Sequence, residues 1–330
     1  MPGPEPVGPR ARHHRPARVI PAARWLRWAL AGLWLLDAGL QLQPAMFGQA
    51  FSSNVLYNSA LMYQPPGLEG FLYRAASIQA HHLILLSALI AAVQVVIGVG
   101  LLWKPLARPA LLLSIGWAAV VWVLGQGFGF MATGTAMIEF GAPGSAVLYI
   151  VLALVVLRSL DRDGQGERSG PRTAQWAWSG FWALGALLHL PWRYSVGAVL
   201  AYNLQTAAQL QPSHLSGLDY TLARAAYVNS VPVSLILGSL ELLLAIAVWL
   251  PIGRRGSIWL GLALTACFWV LGQALGGVLT GVAPDPGTGP PVALLGLYLL
   301  NATARRVPEP NPEPAGAHAN WSGSARPISR

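Results

Sequence analysis

Long apolar runs alternate with short polar segments along this chain of 330 residues. A helix that crosses a lipid bilayer needs about 20 mostly apolar residues. By that criterion the pattern predicts about eight membrane-spanning helices, over residues 25–43, 81–103, 109–130, 143–160, 175–191, 230–250, 257–279 and 289–304. The apolar cores of the fourth, fifth and eighth are shorter than that length. We therefore expect an all-α, polytopic membrane protein.

One phrase of fifteen residues occurs twice in the chain. WVLGQGFGFMATGTA begins at Trp122, and WVLGQALGGVLTGVA begins at Trp269, 147 positions later, with nine identical positions. The same spacing pairs further residues without a gap: Ser87 with Ser234, Gln94 with Glu241, Arg108 with Arg255 and Pro143 with Pro290. The match therefore extends over the second to fourth predicted helices and the sixth to eighth.

This repetition predicts the domain organisation. Four spans per copy is an even number, so both copies enter the membrane in the same orientation. We expect two parallel tandem four-helix units, residues 25–160 and 175–305, in which the first helix and its outer loop have diverged most. Residues 161–174 are the predicted cytoplasmic linker. The Pro-rich basic arm (1–24) and the polar tail (306–330) are predicted to be disordered and cytoplasmic.

Charge changes this picture in one respect, because it gives an orientation. Only 10% of the residues are charged and 54% are hydrophobic, whereas soluble domains carry about 25% charged residues. With both termini cytoplasmic in a plasma-membrane topology, only Arg74, Arg193 and Arg224 fall outside. The other 18 of the 21 Lys and Arg residues fall inside, as the positive-inside rule requires. The predicted partner of the +9 net charge is therefore membrane lipid, with no role for nucleic acid.

Two outer loops, residues 44–80 and 192–229, contain amphipathic and aromatic stretches. Helices of this composition lie in the membrane interface with their apolar face towards the lipid. We therefore expect both loops to form helices against the outer surface of the bilayer.

The repeated phrase has two interpretations. Gln126 and Gln273 fall in the outer third of the predicted bilayer, where an amide must find a hydrogen-bond partner within the protein. The glycines that follow loosen the helix, and a Thr-Gly step leads into a re-entrant or capped turn. The phrase is either a packing and turn motif that closes each bundle or a paired polar site that opens to the outside.

Acidic residues inside the predicted spans are the strongest candidates for chemistry. Asp37 and Glu241 lie at depths where a charged group costs about 2.5–3.5 kcal/mol to insert. Each is either a neutral carboxylic acid that bonds a neighbouring helix or part of a proton relay or ligand site. The candidate polar intramembrane site comprises Asp37, Gln94, Gln126, Glu241 and Gln273.

Small residues suggest which faces of two helices pack inwards. Ser234, Gly238, Glu241 and Ala245 share one helix face, and small faces let transmembrane helices approach closely. Ser87, Ala91, Gln94 and Gly98 are their counterparts 147 positions earlier. Both faces are expected to look into their bundles.

Metal and cofactor signals are weak. His81, His82 and Met46 offer imidazole and thioether ligands on the outer side, but no metal-binding spacing is present, so no metal site is predicted. A haem held by His82 and His189 is an alternative that rests only on their presence. Cys267 is expected to be a small buried hydrophobe. No nucleotide-binding or hydrolase motif occurs, so no catalytic residue is assigned and the cofactor is unknown.

Several segments resemble a known family. WLLDAGLQLQPAMF, AHHLILL, QVVIGVGLLW and the two copies of the phrase are similar to actinobacterial multi-pass integral membrane proteins of unknown activity. The resemblance implies a glutamate at the position of Gln126, so proton chemistry there is weakened in this chain. The four-helix unit also resembles the DoxX-like superfamily, which implies a connection with quinone-linked oxidoreductases.

Three functional hypotheses follow. The first is a non-enzymatic envelope component or membrane subunit that supports a protein partner or a redox chain. The second is a small-solute or ion transporter with a site between the repeats. The third is a quinone- or metal-linked oxidoreductase subunit. A fold can host many activities, so the site must decide among them.

Overall fold

The computed structural model describes residues 22–61, 64–160, 166–190 and 196–304. This part of the chain is helical and contains no strand, which confirms the all-α prediction. Most of the two segments predicted to be disordered, and the first five residues of the predicted linker (161–174), lie outside the described residues. The rest of that linker, from Gly166, is helical.

Thirteen α-helices form in the described residues, joined in places by tighter 3₁₀ turns or wider π turns. They are α1 (Ala22–Gln41), α2 (Gln49–Phe51), α3 (Tyr57–Leu61), α4 (Pro66–His81), α5 (Leu83–Leu102), α6 (Ala107–Val120), α7 (Ser145–Ser159), α8 (Gly166–Leu188), α9 (Val196–Gln209), α10 (Ser213–Val228), α11 (Ser230–Ala247), α12 (Arg254–Cys267) and α13 (Gly289–Ala304). The α2 to α4 and α9 to α10 segments are helical, as the outer-loop prediction expects.

Four helical segments among the described residues are long and apolar enough to cross a membrane. They are Leu83–Leu102, Lys104–Gly125, Ser230–Ala247 and Arg254–Gly272. No more than a third of each is buried, so most of their apolar surface is available to lipid. Cys267 lies on this outer surface of α12 and is exposed, so the expectation that it is buried was wrong.

The interior of the bundle is formed by other helices. α7 packs against both α1 and α8, and α13 packs against both α8 and α1. Trp178, Trp182 and Tyr149 are among the largest fully buried side chains in this core. Trp34 stacks edge-on against Tyr149 with ring centroids 4.8 Å apart, and its indole N–H donates to Ser114 at 2.9 Å. These contacts hold α1, α6 and α7 together through buried side chains.

The faces of small residues pack inwards, as predicted. Ser87, Gln94 and Glu241 are buried among neighbouring helices. A side chain at Gly98 would lie 2.7 Å from Leu35 Cγ, and one at Gly238 would lie 2.9 Å from His189 Cβ. Small residues are therefore required where α5 meets α1 and where α11 meets α8.

Helix bounds recur 147 positions apart over a longer stretch than the sequence indicates. α4 begins at Pro66 and α10 at Ser213, and each has 16 residues. Just before them, the side-chain amide of Gln64 donates to the Gly127 carbonyl, and that of Gln211 donates to the Leu271 carbonyl. The correspondence thus includes part of the outer loops, where the sequence suggests the most divergence.

The outer helix α10 contains a titratable group whose ionisation opposes folding. Burial raises the pKa of Asp219 from 3.8 to about 6. Its Oδ2 accepts a hydrogen bond from Gln211, while Oδ1 has no partner. Between pH 3.8 and about 6 the folded chain therefore holds a proton that the unfolded chain has released. Stability from this group is full at low pH and is lost as the pH rises through that window.

An Asp219→Asn variant is expected to remove this pH dependence. The amide is uncharged at every pH, so its burial carries no ionisation cost. We expect the apparent melting temperature of the wild type to fall between pH 4 and about 6, and that of the variant to fall less. Thermal unfolding in detergent, followed by tryptophan fluorescence over that range, checks this. An identical decline in both proteins would contradict the assignment to Asp219.

Candidate functional site

Both copies of the repeated phrase fold into the same unusual backbone. A π turn ends each helix, over Val121–Gly125 and Phe268–Gly272. Four consecutive residues with left-handed φ follow: 127–130 at 52–61° and 274–277 at 47–71°. Two of each four are not glycine, and such a conformation costs about 1–2 kcal/mol per residue. The surrounding contacts must therefore hold each turn in place. The predicted spans 109–130 and 257–279 end early because of these turns.

Tryptophan and glycine attach each turn to the start of the next helix. Trp122 Nε1 donates to the Pro143 carbonyl at 2.7 Å, and Trp269 Nε1 donates to the Pro286 carbonyl at 2.7 Å. Gly129 and Gly276 press against the backbone of the same prolines. Pro143 therefore corresponds to Pro286, because each makes the same contacts with the tryptophan and the glycine of its turn. The ungapped pairing of Pro143 with Pro290 was wrong, because the second loop reaches the same contact in four fewer residues.

The two glutamines cap the helices that follow. Gln126 Oε1 accepts from the backbone N–H of Ala146 at 3.2 Å. Gln273 Oε1 accepts from both the N–H and the hydroxyl of Thr288, each at 3.0 Å. Free N–H groups at a helix start need acceptors, and these amides supply them. The phrase therefore acts as a turn and capping motif in both places, which is the first of its two interpretations.

Each turn also contacts the opposite half of the chain. Gln126 Nε2 donates to Ser145 at 2.6 Å and to Asp285 Oδ2 at 3.2 Å. The Glu139 carbonyl packs so closely on Gly272 that a Cβ there would lie 2.3 Å from its oxygen. An acid from each loop is thus delivered to the other half of the chain. The two loops create two separate polar clusters.

The first cluster is formed by Asp37, Tyr149 and Asp285. The Tyr149 hydroxyl donates to Asp37 Oδ1 at 3.0 Å, and both groups are buried. Burial raises the pKa of Asp285, although hydrogen bonds from Gly287, Ser145 and Gln126 lower it. All three residues line a cavity of about 410 Å³.

The cavity is mostly apolar, with polar groups converging on one region. Gln41 and Gln94 also line it, and Gln41 Nε2, Gln94 Oε1 and Trp117 Nε1 are buried without hydrogen-bond partners. Among the residues that the structure describes, no Lys, Arg or His lines it. Exposed apolar side chains of α4, α5, α6 and the π turn after α6 also line it: Ile78, Leu89, Val120 and Leu124. The cavity is therefore acidic at its polar region and continuous with the apolar outer surface.

The second cluster brings Glu139, His189 and Glu241 together. His189 Nε2 lies 2.6 Å from Glu139 Oε1 and 3.7 Å from Glu241 Oε2. All three side chains are buried. Glu139 Oε2 and both oxygens of Glu241 have no hydrogen-bond partner. Glu139 comes from a loop in the first half of the chain, His189 directly follows α8, and Glu241 lies on α11.

The predicted site residues therefore separate into groups. Asp37, Gln94 and Gln126 line the cavity together, whereas Glu241 belongs to the second cluster. Gln273 caps α13 and lines neither site.

The weak metal candidates do not form a cluster. Met46 is fully buried in a small core with Phe51 and Ala76. His81 and His82 are exposed at the end of α4, where His81 Nδ1 lies 2.7 Å from the Ser77 carbonyl. His82 is also on the surface while His189 is buried, so they do not form the haem pair considered from the sequence.

Sequence reasoning missed Glu139 and Asp285, and it missed the contacts of His189 with two glutamates. A signal for the two acids exists in the sequence. Each is the only acid between its copy of the phrase and the end of the following helix, 17 positions after Trp122 and 16 positions after Trp269. An acid in such a loop, next to a turn inside the membrane, is a candidate for burial. Its placement in the opposite half of the chain has no sequence signal.

Neither a protein-family model, nor a curated protein, nor a solved structure matches this chain. The resemblance to the actinobacterial and DoxX-like proteins therefore stays a prediction. Function has to be inferred from the two clusters.

Proposed function

We propose that the chain spans the plasma membrane eight times as two parallel tandem four-helix units. The unit of α1, α5, α6 and α7 would correspond to that of α8, α11, α12 and α13. The recurrence of helix bounds, left-handed turns and capping contacts supports this pairing. The four helices other than α5, α6, α11 and α12 are the inner ones, which pack against protein. α7 and α13 are shorter than a typical span, whereas α1 and α8 are long enough but are not among the helices apolar enough to cross a membrane by composition.

We propose that the protein is a transporter that binds a lipophilic organic cation in the 410 Å³ cavity and exchanges it for protons. One observation carries the proposal: two carboxyl groups from different halves of the chain, Asp37 and Asp285, line one cavity, and no basic side chain is among the described residues that line it. Transport is the second of the three hypotheses drawn from the sequence, and it differs from the first, in which the protein supports a partner or a redox chain. It places the solute site between the repeats, as the second hypothesis expects.

Electrostatics favours a cation over an anion or a neutral solute. Inside a membrane protein, interactions between charges are much stronger than in water. Two buried carboxyl groups that share one site cannot both remain ionised without compensation. Either protons or a bound cation must neutralise them. A bound cation would therefore release protons, and this competition is the basis of exchange.

Shape and lining favour an amphiphilic ligand. Pockets for drug-sized molecules have volumes of about 300–1,000 Å³, and this cavity lies within that range. Trp34 and Trp117 line it and offer aromatic faces, which attract organic cations. The exposed lining at Ile78 and Leu89 would let an apolar ligand enter sideways from the bilayer. Gln41, Gln94 and Trp117 would bond polar groups on the ligand.

A quinone is the second candidate, and a specific observation favours it. Gln41 Nε2 and Trp117 Nε1 are unpaired donors, and a quinone carries carbonyl acceptors. The apolar lining would suit its tail. The acidic pair, however, offers a quinone no charge complementarity, so the cation remains the preferred ligand.

Binding of tetraphenylphosphonium, a lipophilic cation, tests the preferred function. We expect saturable binding to the full chain in detergent. Because the cation displaces a proton, its affinity should increase as the pH rises, by up to about ten-fold per pH unit when one proton is displaced. Asp37→Asn should weaken binding by about 30-fold or more, because a buried charge partner is lost. Equilibrium dialysis with radiolabelled cation at several pH values measures both effects.

Asp219→Asn provides the matched control, since Asp219 is a buried acid that does not line the cavity. It should bind the cation like the wild type. Binding that is independent of pH, or equal in the wild type and Asp37→Asn, would contradict the proposal. Size-exclusion profiles establish that each variant is folded.

A further inference from the structure

We infer that Glu139, His189 and Glu241 form a binding site for a divalent first-row transition metal ion. The site is separate from the cavity, since none of the three residues lines it. Its ligands would be one imidazole and two carboxylates, a set that suits Zn²⁺, Mn²⁺ or Fe²⁺. The inference goes beyond the proposed transport function and does not depend on it.

The geometry of the cluster is close to that of a coordination sphere. One ligand atom from each residue lies within 4.8 Å of the others. Bonds of about 2.0–2.2 Å in a tetrahedral arrangement place ligand atoms about 3.4 Å apart. The 3.7 Å separation of His189 Nε2 and Glu241 Oε2 is near that value. The 2.6 Å contact between His189 Nε2 and Glu139 Oε1 would open by less than 1 Å.

Unpaired atoms give independent support for a ligand. Glu241 is fully buried, yet both of its carboxylate oxygens lack hydrogen-bond partners. Glu139 Oε2 is also buried and unpaired. Buried polar atoms are ordinarily satisfied, and leaving a charged one unsatisfied is costly. A metal ion between the three side chains would take one oxygen of each glutamate as a ligand.

Charge supports the same conclusion. Within the described part of the chain, the ion pairs of Glu139 and Glu241 are both with His189. Two ionised carboxylates carry more charge than one imidazolium neutralises, and a divalent cation would compensate both of them in a buried place. Because Glu139 comes from the opposite half of the chain, the ion would join the two proposed units. The first cluster (Asp37, Tyr149 and Asp285) contains no histidine, so we expect metal binding at the second cluster and not at the first.

Zinc binding to the full-length chain, purified without a histidine tag and treated with a chelator, tests the site. We expect one Zn²⁺ per chain after desalting, measured by inductively coupled plasma mass spectrometry. Co²⁺ should bind with the same stoichiometry and give visible absorption bands. Glu241→Gln, which preserves shape, and His189→Gln should each lose stoichiometric binding of both metals.

Two adjacent histidine pairs provide controls, because surface histidines can also bind Zn²⁺. Removing His13 and His14 together, or His81 and His82 together, should leave one Zn²⁺ per chain. Zn²⁺ should raise the melting temperature of the wild type but not that of Glu241→Gln. Less than stoichiometric Zn²⁺ on the wild type, or full binding by Glu241→Gln, would overturn the inference. Cation binding in the cavity should be unchanged in Glu241→Gln, so the two proposals can fail separately.

Discussion

Replacing Gly276 with alanine is expected to destabilise the protein by about 3 kcal/mol or more. Gly276 has a φ of +69°, a conformation that L-residues adopt at a cost of about 1–2 kcal/mol. A Cβ at this position would also lie 2.3 Å from the carbonyl group of Pro286. That group belongs to the backbone and accepts the hydrogen bond of Trp269, so it cannot move without breaking the attachment of the turn.

Gly277→Ala separates the two causes. Gly277 has nearly the same φ, +71°, but a Cβ there would meet nothing closer than 3.8 Å. It should suffer only the conformational cost, about 1–2 kcal/mol. Unfolding in mixed SDS micelles, followed by the fluorescence of the 14 tryptophans, gives both free energies. Equal losses in the two variants would show that the Pro286 contact does not hold the turn.

A second large effect is expected for Gln126→Glu. The amide of Gln126 donates to Asp285 and to Ser145, and a carboxylate can donate to neither. Gln126 Nε2 lies 3.2 Å from Asp285 Oδ2, and an oxygen of the new carboxyl group would take the place of that nitrogen. Two carboxyl groups that close cannot both ionise, so one pKa must rise. A rise of two units corresponds to about 3 kcal/mol.

The pH dependence of this variant has a definite sign. A raised acid pKa in the folded state means that stability is present at low pH and lost as the pH rises above the unfolded value. Gln126→Glu should therefore approach wild-type stability near pH 4 and fall well below it at neutral pH. Unfolding free energies at several pH values measure this. A constant difference at all pH values would contradict the shared-proton account.

Gln273→Glu is the matched control at the same position of the second phrase. Gln273 uses its oxygen to accept from Thr288, and a carboxylate accepts equally well. Its side chain has no hydrogen bond to an acid among the described residues. We expect a smaller loss of stability than in Gln126→Glu and a weaker dependence on pH, because no second carboxyl group shares the contact.

The family resemblance implies a glutamate at position 126, next to Asp285. In this chain the glutamine is an uncharged donor to Asp285. A glutamate would require a proton at that contact. With glutamine at 126 the cavity is still acidic, because Asp285 and Asp37 line it.

Hydrophobic patterning predicts the outer helices well, because their apolar residues continue along the whole length of each helix. α5 and α11 follow their predicted ranges closely, since each faces lipid along most of its length. The inner helices give weaker signals. α7, α8 and α13 include the three predicted spans with the shortest apolar cores, and all three are packed against protein. A helix that faces protein can be shorter or more polar.

The site could be predicted only in part. Intramembrane depth alone identifies Asp37 and Glu241, because an acid there must be neutral, paired or functional. Their partners Asp285, Glu139 and His189 could not be assigned. Each contact joins residues far apart in sequence, and it depends on how two left-handed turns cross between the halves. No local sequence pattern predicts which residues of the two halves come into contact.

Native mass spectrometry of the protein released from lipid nanodiscs tests the central claim, that the cavity binds an amphiphilic cation. The wild type should retain a small-molecule adduct that tetraphenylphosphonium displaces. Leu89→Trp would place an indole among the lining residues and should lose the adduct. Leu85→Trp, one turn away on the same exposed face and outside the lining, should keep it. A protein carrying only phospholipid, an adduct with the mass of a quinone, or equal retention by both variants would contradict the claim.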